Sequence, residues 1–208
     1  MVKVPKIIKK LFYNQVWDIP NNKNKVYLTF DDGPTPEVTE WVLELLSKEN
    51  IKATFFCIGK NIEKHPEIFK KTIDSGHSIG NHSYNHLQGW KTSSKKYTEN
   101  VDLCENEIRK LNTIENNLFR PPYGKIKPIQ SRILRKKGFK IIMWDVLSKD
   151  YDQSVSPEIC LDNVTKNTSQ GSIIVFHDSL KAQKNLEYTL PKAITFLKNK
   201  GFKFEMIN

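Results

Sequence analysis

Short β-branched or apolar runs alternate with longer amphipathic stretches along the 208 residues of this chain. Runs of the first kind predict strands, and apolar residues spaced three and four apart predict helices. The predicted strands cover residues 26–30, 53–58, 77–80, 117–120, 139–144, 172–176 and 202–206. The predicted helices cover residues 66–75, 94–112, 127–137 and 185–199, together with two that begin at Thr35 and Ser156, each followed by proline and glutamate.

This alternation predicts an α/β fold in which a parallel sheet is connected by helical crossovers. About seven such units suit a barrel, but a complete eight-unit barrel usually needs about 250 residues. We therefore expect a distorted, trimmed (β/α) barrel of about seven strands. A doubly wound open sheet is the alternative, and the periodicity does not separate the two. Either architecture places functional groups at the carboxyl ends of the strands.

The N-terminus is basic, and we expect it to form a segment, 1–24, that packs on or flanks a single domain spanning 25–208. It lacks the apolar block of a signal peptide, and no stretch approaches the roughly 18 apolar residues of a membrane span. We therefore expect a cytoplasmic location, with action at the cell envelope or outside the cell left open. Four apolar residues lie among the lysines of this segment: Ile7, Ile8, Leu11 and Phe12. Packing against the domain is the favoured interpretation, and a short interfacial helix with weak membrane-surface association is the alternative.

The formal net charge is +10, from 33 lysines and arginines against 23 aspartates and glutamates spread along the chain. The spread favours simple solubility, and the alternative is a preference for polyanions such as an anionic glycan, a membrane surface or nucleic acid. Since no nucleic-acid-binding motif accompanies the charge, we expect no nucleic-acid partner. Cys57, Cys104 and Cys160 have no close pair and indicate neither a disulfide framework nor a thiolate zinc site.

Two acids, Asp31 and Asp32, follow the first predicted strand in the stretch TFDDGP. Neighbouring charges at the end of a buried strand cost free energy unless something compensates them. Successive strand residues point in opposite directions, so the pair is expected to flank one site in two roles, a metal ligand and a proton acceptor. A simple Asp-Gly turn is the alternative, and it explains only one of the two acids.

Two histidines, His82 and His86, follow the predicted strand 77–80. Their spacing places both on one face of a helical turn, where they suit a single metal ion. The metalloprotease version of this pattern has glutamate after the first histidine, and here that position is Ser83. The base and the third ligand must therefore come from elsewhere, and the aspartate pair supplies both. Two surface histidines at this spacing by chance are the alternative.

Three further predicted strands end in polar groups. Arg120 and Tyr123 flank two prolines that hold a loop after the first of these strands. The stretch 144–151, after the second, contains two acids, Asp145 and Asp150, and His177 lies at the tip of the third. Five strand ends that each offer an ionisable or polar group converge on one edge of the predicted sheet. This convergence favours an enzyme.

The stretches TFDDGP at 29–34, HSYNH at 82–86 and RPPYG at 120–124 occur in one order and spacing. On these residues the chain, from about 25 to 206, closely resembles the polysaccharide deacetylases, the NodB-type domain of carbohydrate esterase family 4. The resemblance implies a distorted (β/α) barrel and the metal-dependent removal of N-acetyl, sometimes O-acetyl, groups from sugars.

The resemblance also implies a metal centre and a base. Its metal triad would be Asp32, His82 and His86, holding Zn²⁺ or another divalent ion such as Co²⁺ or Ni²⁺. Asp31 matches the catalytic base, and Arg120 matches the residue that pairs with it.

The same resemblance makes His177 the catalytic acid and Asp150 the carboxylate that orients it and raises its pKa. The backbone N–H of Tyr123 would help to hold the oxyanion. The residues expected to contact the sugar are Tyr123, Pro122, Tyr151 and Trp90. For Trp90, stacking on a sugar ring and anchoring in the core remain equal alternatives.

The chain departs from the family pattern at three positions. Tyr151 stands where tryptophan is usual, Leu147 where an aspartate is common, and Val175 where leucine is usual. These changes alter the walls of the pocket more than its charged chemistry, so they leave the substrate open.

The leading interpretation is a monomeric enzyme that removes N-acetyl groups from N-acetylglucosamine-type sugars of an acetylated glycan. The glycan would be peptidoglycan, a chitin-like oligomer or a surface polysaccharide. The alternatives are an O-acetyl esterase on a polysaccharide such as xylan and a basic polyanion-binding module with a vestigial site.

Overall fold

The computed structural model describes residues 2–112 and 117–208. Its strands are β1 (Lys25–Asp31), β2 (Thr54–Cys57), β3 (Ser78–Asn81), β4 (Leu118–Phe119), β5 (Lys140–Ile141), β6 (Val146–Leu147), β7 (Ile173–His177) and β8 (Lys203–Glu205). Its α-helices are α1 (Lys6–Leu11), α2 (Val38–Lys48), α3 (Gly59–Lys64), α4 (Pro66–Asp74), α5 (Ser94–Leu111), α6 (Pro128–Lys136), α7 (Pro157–Thr165) and α8 (Gln183–Asn199).

The paired strands are all parallel and follow the order β5–β4–β3–β2–β1–β7–β6, with β8 beside the start of β1. This path of seven strands is a curled half-barrel with helices, which confirms the predicted trimmed (β/α) barrel. Asp31 at the end of β1 is paired with Phe56 of β2 and His177 of β7. Asn81 at the end of β3 is paired with Cys57 of β2. The polar residues that follow these strands therefore meet at one edge of the sheet.

The centre of the sheet is fixed by a row of aromatic rings. Phe30 stacks on Phe55 with ring centroids 4.9 Å apart and on Phe176 at 6.2 Å. All three side chains are buried, and burial of each contributes about 1.5–3 kcal/mol. This packing holds β1, β2 and β7 together directly below the residues that end them.

The N-terminal segment contacts both ends of the sheet. The carbonyl of Val16 accepts from Met143 N at 2.7 Å, and Val16 N donates to Ile141 O at 2.8 Å. Leu147 N donates to Val2 O at 2.9 Å. The segment therefore joins β5 to β6, two strands that are not paired with each other in the part of the chain the structure describes.

Helix α1 presents two different faces. Ile8 packs against the buried cluster that includes Val4 and Trp17, whereas Ile7 and Leu11 are 72% and 70% exposed. Among the residues that the structure describes, no helix has both the length and the apolar character needed to cross a bilayer.

The predicted strand 139–144 is wrong in its length, because β5 covers only Lys140–Ile141 and β6 begins beyond the predicted range, at Val146. The carbonyls of Ile142 and Met143 accept hydrogen bonds from the Arg120 guanidinium at 3.3 and 2.9 Å. These carbonyls are thus drawn away from sheet pairing and toward the functional edge.

The two predicted helix starts have different outcomes. The prediction at Ser156 is confirmed, since its side chain accepts from Ile159 N as an N-cap. The prediction at Thr35 is wrong, and that helix begins at Val38. Thr35 N instead donates to Thr39 Oγ1 at 2.7 Å, which folds the preceding residues into a turn.

Candidate active site

A cavity of about 480 Å³ opens at the carboxyl ends of the strands. It is lined by Asp31, Asp32, His82, His86, Pro121, Tyr123, Lys125, Trp144, Leu147, Tyr151, Val175, His177 and Lys181. The predicted base, acid and metal ligands therefore share one cavity. Arg120 and Asp150, which were predicted to tune them, are fully buried behind the wall.

The three predicted metal ligands converge on one point. Oδ1 of Asp32 lies 3.3 Å from Nε2 of His86 and 3.7 Å from Nε2 of His82. Ligand atoms of all three lie within 4.8 Å of one another, a spacing that suits a single ion. Two imidazoles and one carboxylate leave an open coordination position, as catalytic zinc sites do.

The hydrogen bonds of the histidines decide which ring nitrogen faces this point. Nδ1 of His82 lies 2.8 Å from the carbonyl of Arg120, which can only accept, so Nδ1 carries the proton. Burial lowers the pKa of His82 well below 6.5 and also lowers that of His86, which favours neutral rings. Nε2 of His82 therefore presents a lone pair to Asp32, with no proton between them.

This arrangement fits a divalent cation. Oδ1 of Asp32 is buried without a hydrogen-bond partner among the described residues, although two imidazole nitrogens lie nearby. Converging lone pairs with no proton between them repel one another, and a buried acceptor without a partner costs about 1–3 kcal/mol. An ion bound by Asp32, His82 and His86 removes both penalties. The neighbouring groups on Nδ1 fix the ring orientations that such an ion requires.

The helical turn expected for the two histidines is wrong. Residues 82–86 form a loop in which Ser83 and His86 have left-handed φ values of 61° and 54°. Side chains replace the helical hydrogen bonds, because Ser83 N donates to Asn81 Oδ1 at 2.9 Å and Asn100 Oδ1 accepts from two loop amides. The loop still brings both rings to the metal site, with ring centroids 5.0 Å apart.

Asp31 is held by a buried arginine. Nη1 of Arg120 donates to Asp31 Oδ1 at 2.6 Å and to Thr29 Oγ1 at 2.7 Å. The guanidinium also lies over the ring of Phe56, 4.1 Å from its centroid. With its arginine partner in place, the Asp31 carboxylate is aimed and compensated while one side of it lines the cavity.

His177 and Asp150 form the second charged pair. Asp150 accepts from the backbone N of His177 at 2.7 Å and lies 2.8 Å from its Nδ1. Burial alone lowers the pKa of His177, but the charge and hydrogen bond of Asp150, together with the charges of Asp32 and Asp31, outweigh burial, and the pKa rises to about 9. Ser148 Oγ donates to Asp150 at 2.9 Å and fixes the carboxylate. His177 is therefore protonated at neutral pH.

Asp178 is a site-supporting residue that the sequence reasoning missed. It accepts from Gly33 N at 3.1 Å and from Thr39 Oγ1 at 2.6 Å, while Asn61 Nδ2 donates to Asp32 O at 2.7 Å. Burial raises the pKa of Asp178 to about 8. These contacts fix the turn that directs Asp32, whose φ is 86°. The position of Asp178 directly after His177 was the signal in the sequence that could have identified it.

The loop after Arg120 presents Tyr123 to the cavity. Tyr123 has a left-handed φ of 61°, and its hydroxyl lies 3.1 Å from Nδ1 of His86. A Cβ on Gly124 would lie 2.5 Å from the ring of Trp144, so only glycine allows this close packing. Trp144 and the loop thereby form one wall of the cavity.

The residues expected to contact the sugar are not all brought together. Tyr151 lines the cavity, and its ring lies edge-on to His177. Leu147 and Val175, the other two positions that depart from the family pattern, also line the cavity. Among the described residues lining the cavity, Pro122 and Trp90 are absent. Pro121 lines it instead, and Trp90 is 60% exposed with its indole N donating to a backbone carbonyl. A sugar contact by Trp90 or Pro122 stays a prediction.

Comparisons with known proteins agree on the fold and its chemistry. A family model described as polysaccharide deacetylase matches residues 18–142. A peptidoglycan-N-acetylglucosamine deacetylase of Bacillus cereus is 37% identical over 194 residues, covering 92% of this chain and 70% of that protein. The peptidoglycan-N-acetylmuramic acid deacetylase PdaA of Bacillus subtilis is 30% identical over 192 residues, covering 90% and 72%. A solved structure of a peptidoglycan N-acetylglucosamine deacetylase has a TM-score of 0.89 at 34% identity, covering 98% of this chain and 94% of that one.

Proposed function

This chain belongs to the polysaccharide deacetylase family, and from that membership we propose that it removes N-acetyl groups from N-acetylglucosamine-type sugars of a glycan. The observation that carries the proposal is a base and an acid on paired strands, Asp31 and His177, beside three converging ligands. Peptidoglycan strands are the proposed substrate, because the similar proteins from two Bacillus species are named for that polymer.

The proposed cofactor is Zn²⁺ held by Asp32, His82 and His86. When bound, such an ion supplies a Lewis acid that polarises the acetyl carbonyl and acidifies the attacking water. Asp31 accepts the proton of that water, and the Arg120 guanidinium pairs with the carboxylate and directs it into the cavity.

The leaving group determines the role of His177. An amine leaves poorly as an anion, so the nitrogen must receive a proton as the C–N bond breaks. His177 carries that proton at neutral pH, because the nearby carboxylates, Asp150 first among them, raise its pKa despite burial. The backbone N–H of Tyr123 is proposed to stabilise the oxyanion, an interaction commonly worth about 3–4 kcal/mol.

Acetate release from a panel of acetylated glycans tests this proposal. The panel contains N-acetylated chitin tetramer, peptidoglycan strands and O-acetylated xylan, each with and without a chelator. We expect acetate from the N-acetylated glycans, loss of activity with chelator and recovery with Zn²⁺. Release from acetylated xylan alone would replace the proposal with an O-acetyl esterase, and release that chelator does not affect would remove the metal.

A further inference from the structure

A second hollow adjoins the active-site cavity. Its volume is about 530 Å³, and it lies between the segment that follows Tyr151 and the start of α8. Lys181 lines both the hollow and the active-site cavity, so the two spaces meet at this side chain. Lys184 and Ser154 line the hollow beyond it. A chain of sugars seated in the first space therefore has a direct continuation into the second.

The lysines at this junction have no acidic partner. No ion pair with the described residues is formed by Lys181 or Lys184. The same holds for Lys125, which lines the active-site cavity. Nζ of Lys181 lies 5.9 Å from the ring centroid of Tyr151, and Nζ of Lys125 lies 5.5 Å from that of Trp90. Aromatic rings support these ammonium groups without neutralising them.

Asp152 offsets only part of this charge. Its Oδ1 accepts from Ser154 Oγ at 2.6 Å and from Ser154 N at 3.1 Å. These hydrogen bonds, and then the charges of Lys149 and Lys181, lower the pKa of Asp152. One carboxylate thus interacts with two lysines, Lys149 and Lys181, while Lys184 adds a further positive charge to the lining of the hollow.

We propose that the hollow at Lys181 and Lys184 is a subsite for a carboxylate carried by the substrate, so that the enzyme prefers acidic amino-sugar polymers to neutral ones. The inference rests on the proposed deacetylase function and names its substrate class. Lysine is a compact point charge on a flexible stem, which suits a carboxylate presented at variable reach by a sugar substituent. In peptidoglycan-type polymers the carboxylate comes either from the lactyl ether of the sugar or from a peptide attached to it.

The test compares kcat and KM for three tetrasaccharides of equal length. The first is neutral chitin tetramer, the second is a peptide-free glycan with lactyl carboxylates, and the third carries the attached peptide. The variant is Lys181→Gln with Lys184→Gln, and the matched control is Arg135→Gln with Lys136→Gln on the exposed side of α6, which also removes two positive charges but lies outside both cavities.

We expect the double variant to raise KM for the acidic substrates about tenfold more than KM for the neutral tetramer, because two exposed ion pairs with the substrate are lost. Lys181→Arg with Lys184→Arg restores KM. Attaching the peptide converts the lactyl carboxylate to an amide, so an effect on the second substrate alone assigns the lactyl carboxylate and an effect on the third alone assigns the peptide carboxylate. An effect on both shows that the subsite accepts either carboxylate. Equal KM changes for neutral and acidic substrates, or changes no larger than those of Arg135→Gln with Lys136→Gln, would overturn the proposal.

Binding of the same tetrasaccharides, measured by titration calorimetry, separates this inference from the proposed reaction. Preferential binding of the acidic tetrasaccharides, lost in the double variant, supports the subsite even where no acetate is released. Acetate release with equal binding of neutral and acidic tetrasaccharides keeps the deacetylase and rejects the subsite.

Discussion

Two neighbouring aspartates have separate partners at the end of β1. Asp31 faces the guanidinium of Arg120, and Asp32 faces the imidazole nitrogens of His82 and His86. The left-handed φ of Asp32 turns its side chain away from the strand direction that Asp31 follows. A doubled charge that is costly in isolation is therefore compensated by one arginine and by a site suited to one cation.

His82→Ala is expected to weaken Zn²⁺ binding at least about 100-fold, because it removes one of three ligands. Competition with a zinc-binding dye measures the affinity. His65→Ala is the control, since this other histidine lies outside the cluster and is expected to bind zinc as the unchanged chain does. Equal zinc affinity in the two variants would contradict the ligand assignment.

The pH dependence of kcat reports on His177. The raised pKa keeps this side chain protonated below about pH 9, so activity falls as pH rises through that range. In the ion-loaded enzyme the falling limb lies at or below pH 9, because the ion offsets the contribution of Asp32. Asp150→Asn removes the carboxylate and is expected to move the limb down by at least about one unit. A limb that does not move in this variant would show that Asp150 does not set the charge of His177.

At the scale of elements, the turn after β1 depends on contact with the residue after β7. A Cβ on Gly33 would lie 2.0 Å from Oδ2 of Asp178, whose Oδ1 accepts from Gly33 N. The turn and the strand end thus fit only without a side chain at position 33. Since Asp32 precedes this turn, its direction depends on the same contact.

Gly33→Ala is expected to lower the free energy of unfolding by about 1–3 kcal/mol, the usual cost of overpacking. Asp178→Ala is expected to cost a similar amount, because it leaves buried donors without their acceptor. Urea unfolding of both single variants and of the double variant measures the coupling. Less loss in the double variant than in the two singles together supports the clash, and simple additivity argues against it.

The sequence predicts the long elements well and the site-forming loops poorly. Runs such as 26–30 and 172–176 consist mostly of β-branched and aromatic residues, so the local pattern identifies them as strands. The loop at 82–86 is not helical because Asn100, on a distant helix, satisfies its amides, and no local pattern reveals such a contact. The predicted strand 139–144 is similarly shorter in the structure, where the Arg120 guanidinium donates to the carbonyls of Ile142 and Met143.

The candidate site shows the same division. The base, the acid and the metal ligands were predicted from strand-end residues and family motifs, and the residues predicted for these roles line one cavity in the structure. Asp178 was missed because its role depends on a close approach to Gly33, 145 positions away in sequence. Lys181 was missed because a lone exposed lysine after a strand carries no distinctive pattern.

At the scale of the whole molecule, the N-terminal segment is joined to the open side of the half-barrel by charge as well as by backbone pairing. Asp145, at the start of β6, is buried and is contacted by Lys3, Lys9 and Ser172 Oγ. Burial alone raises the pKa of Asp145, but the two lysines outweigh it and lower the pKa below 3.8. The ion pairs therefore stabilise the fold above that pH and are lost as pH falls below it.

Replacing both lysines, Lys3→Met with Lys9→Met, is expected to lower the free energy of unfolding by about 1.5–3 kcal/mol at neutral pH. This loss of unfolding free energy becomes smaller below pH 4, where Asp145 is already protonated in the unfolded chain. Chemical unfolding at pH 7 and pH 3.5 measures both values. Lys6→Met with Lys10→Met on the exposed face of α1 is the control, and an equal loss there would contradict the role of Asp145.

The central claim is tested most directly by adding zinc to protein from which metal has been removed with a chelator, and measuring acetate release from an N-acetylated tetrasaccharide. We predict that activity returns with one equivalent of zinc and that each acetate is matched by one new amine. Asp31→Asn is predicted to bind one equivalent of zinc with kcat reduced at least about 100-fold, because it keeps the ligands and loses the base. Acetate release that does not depend on zinc, or an Asp31→Asn variant as active as the unchanged chain, would contradict the account.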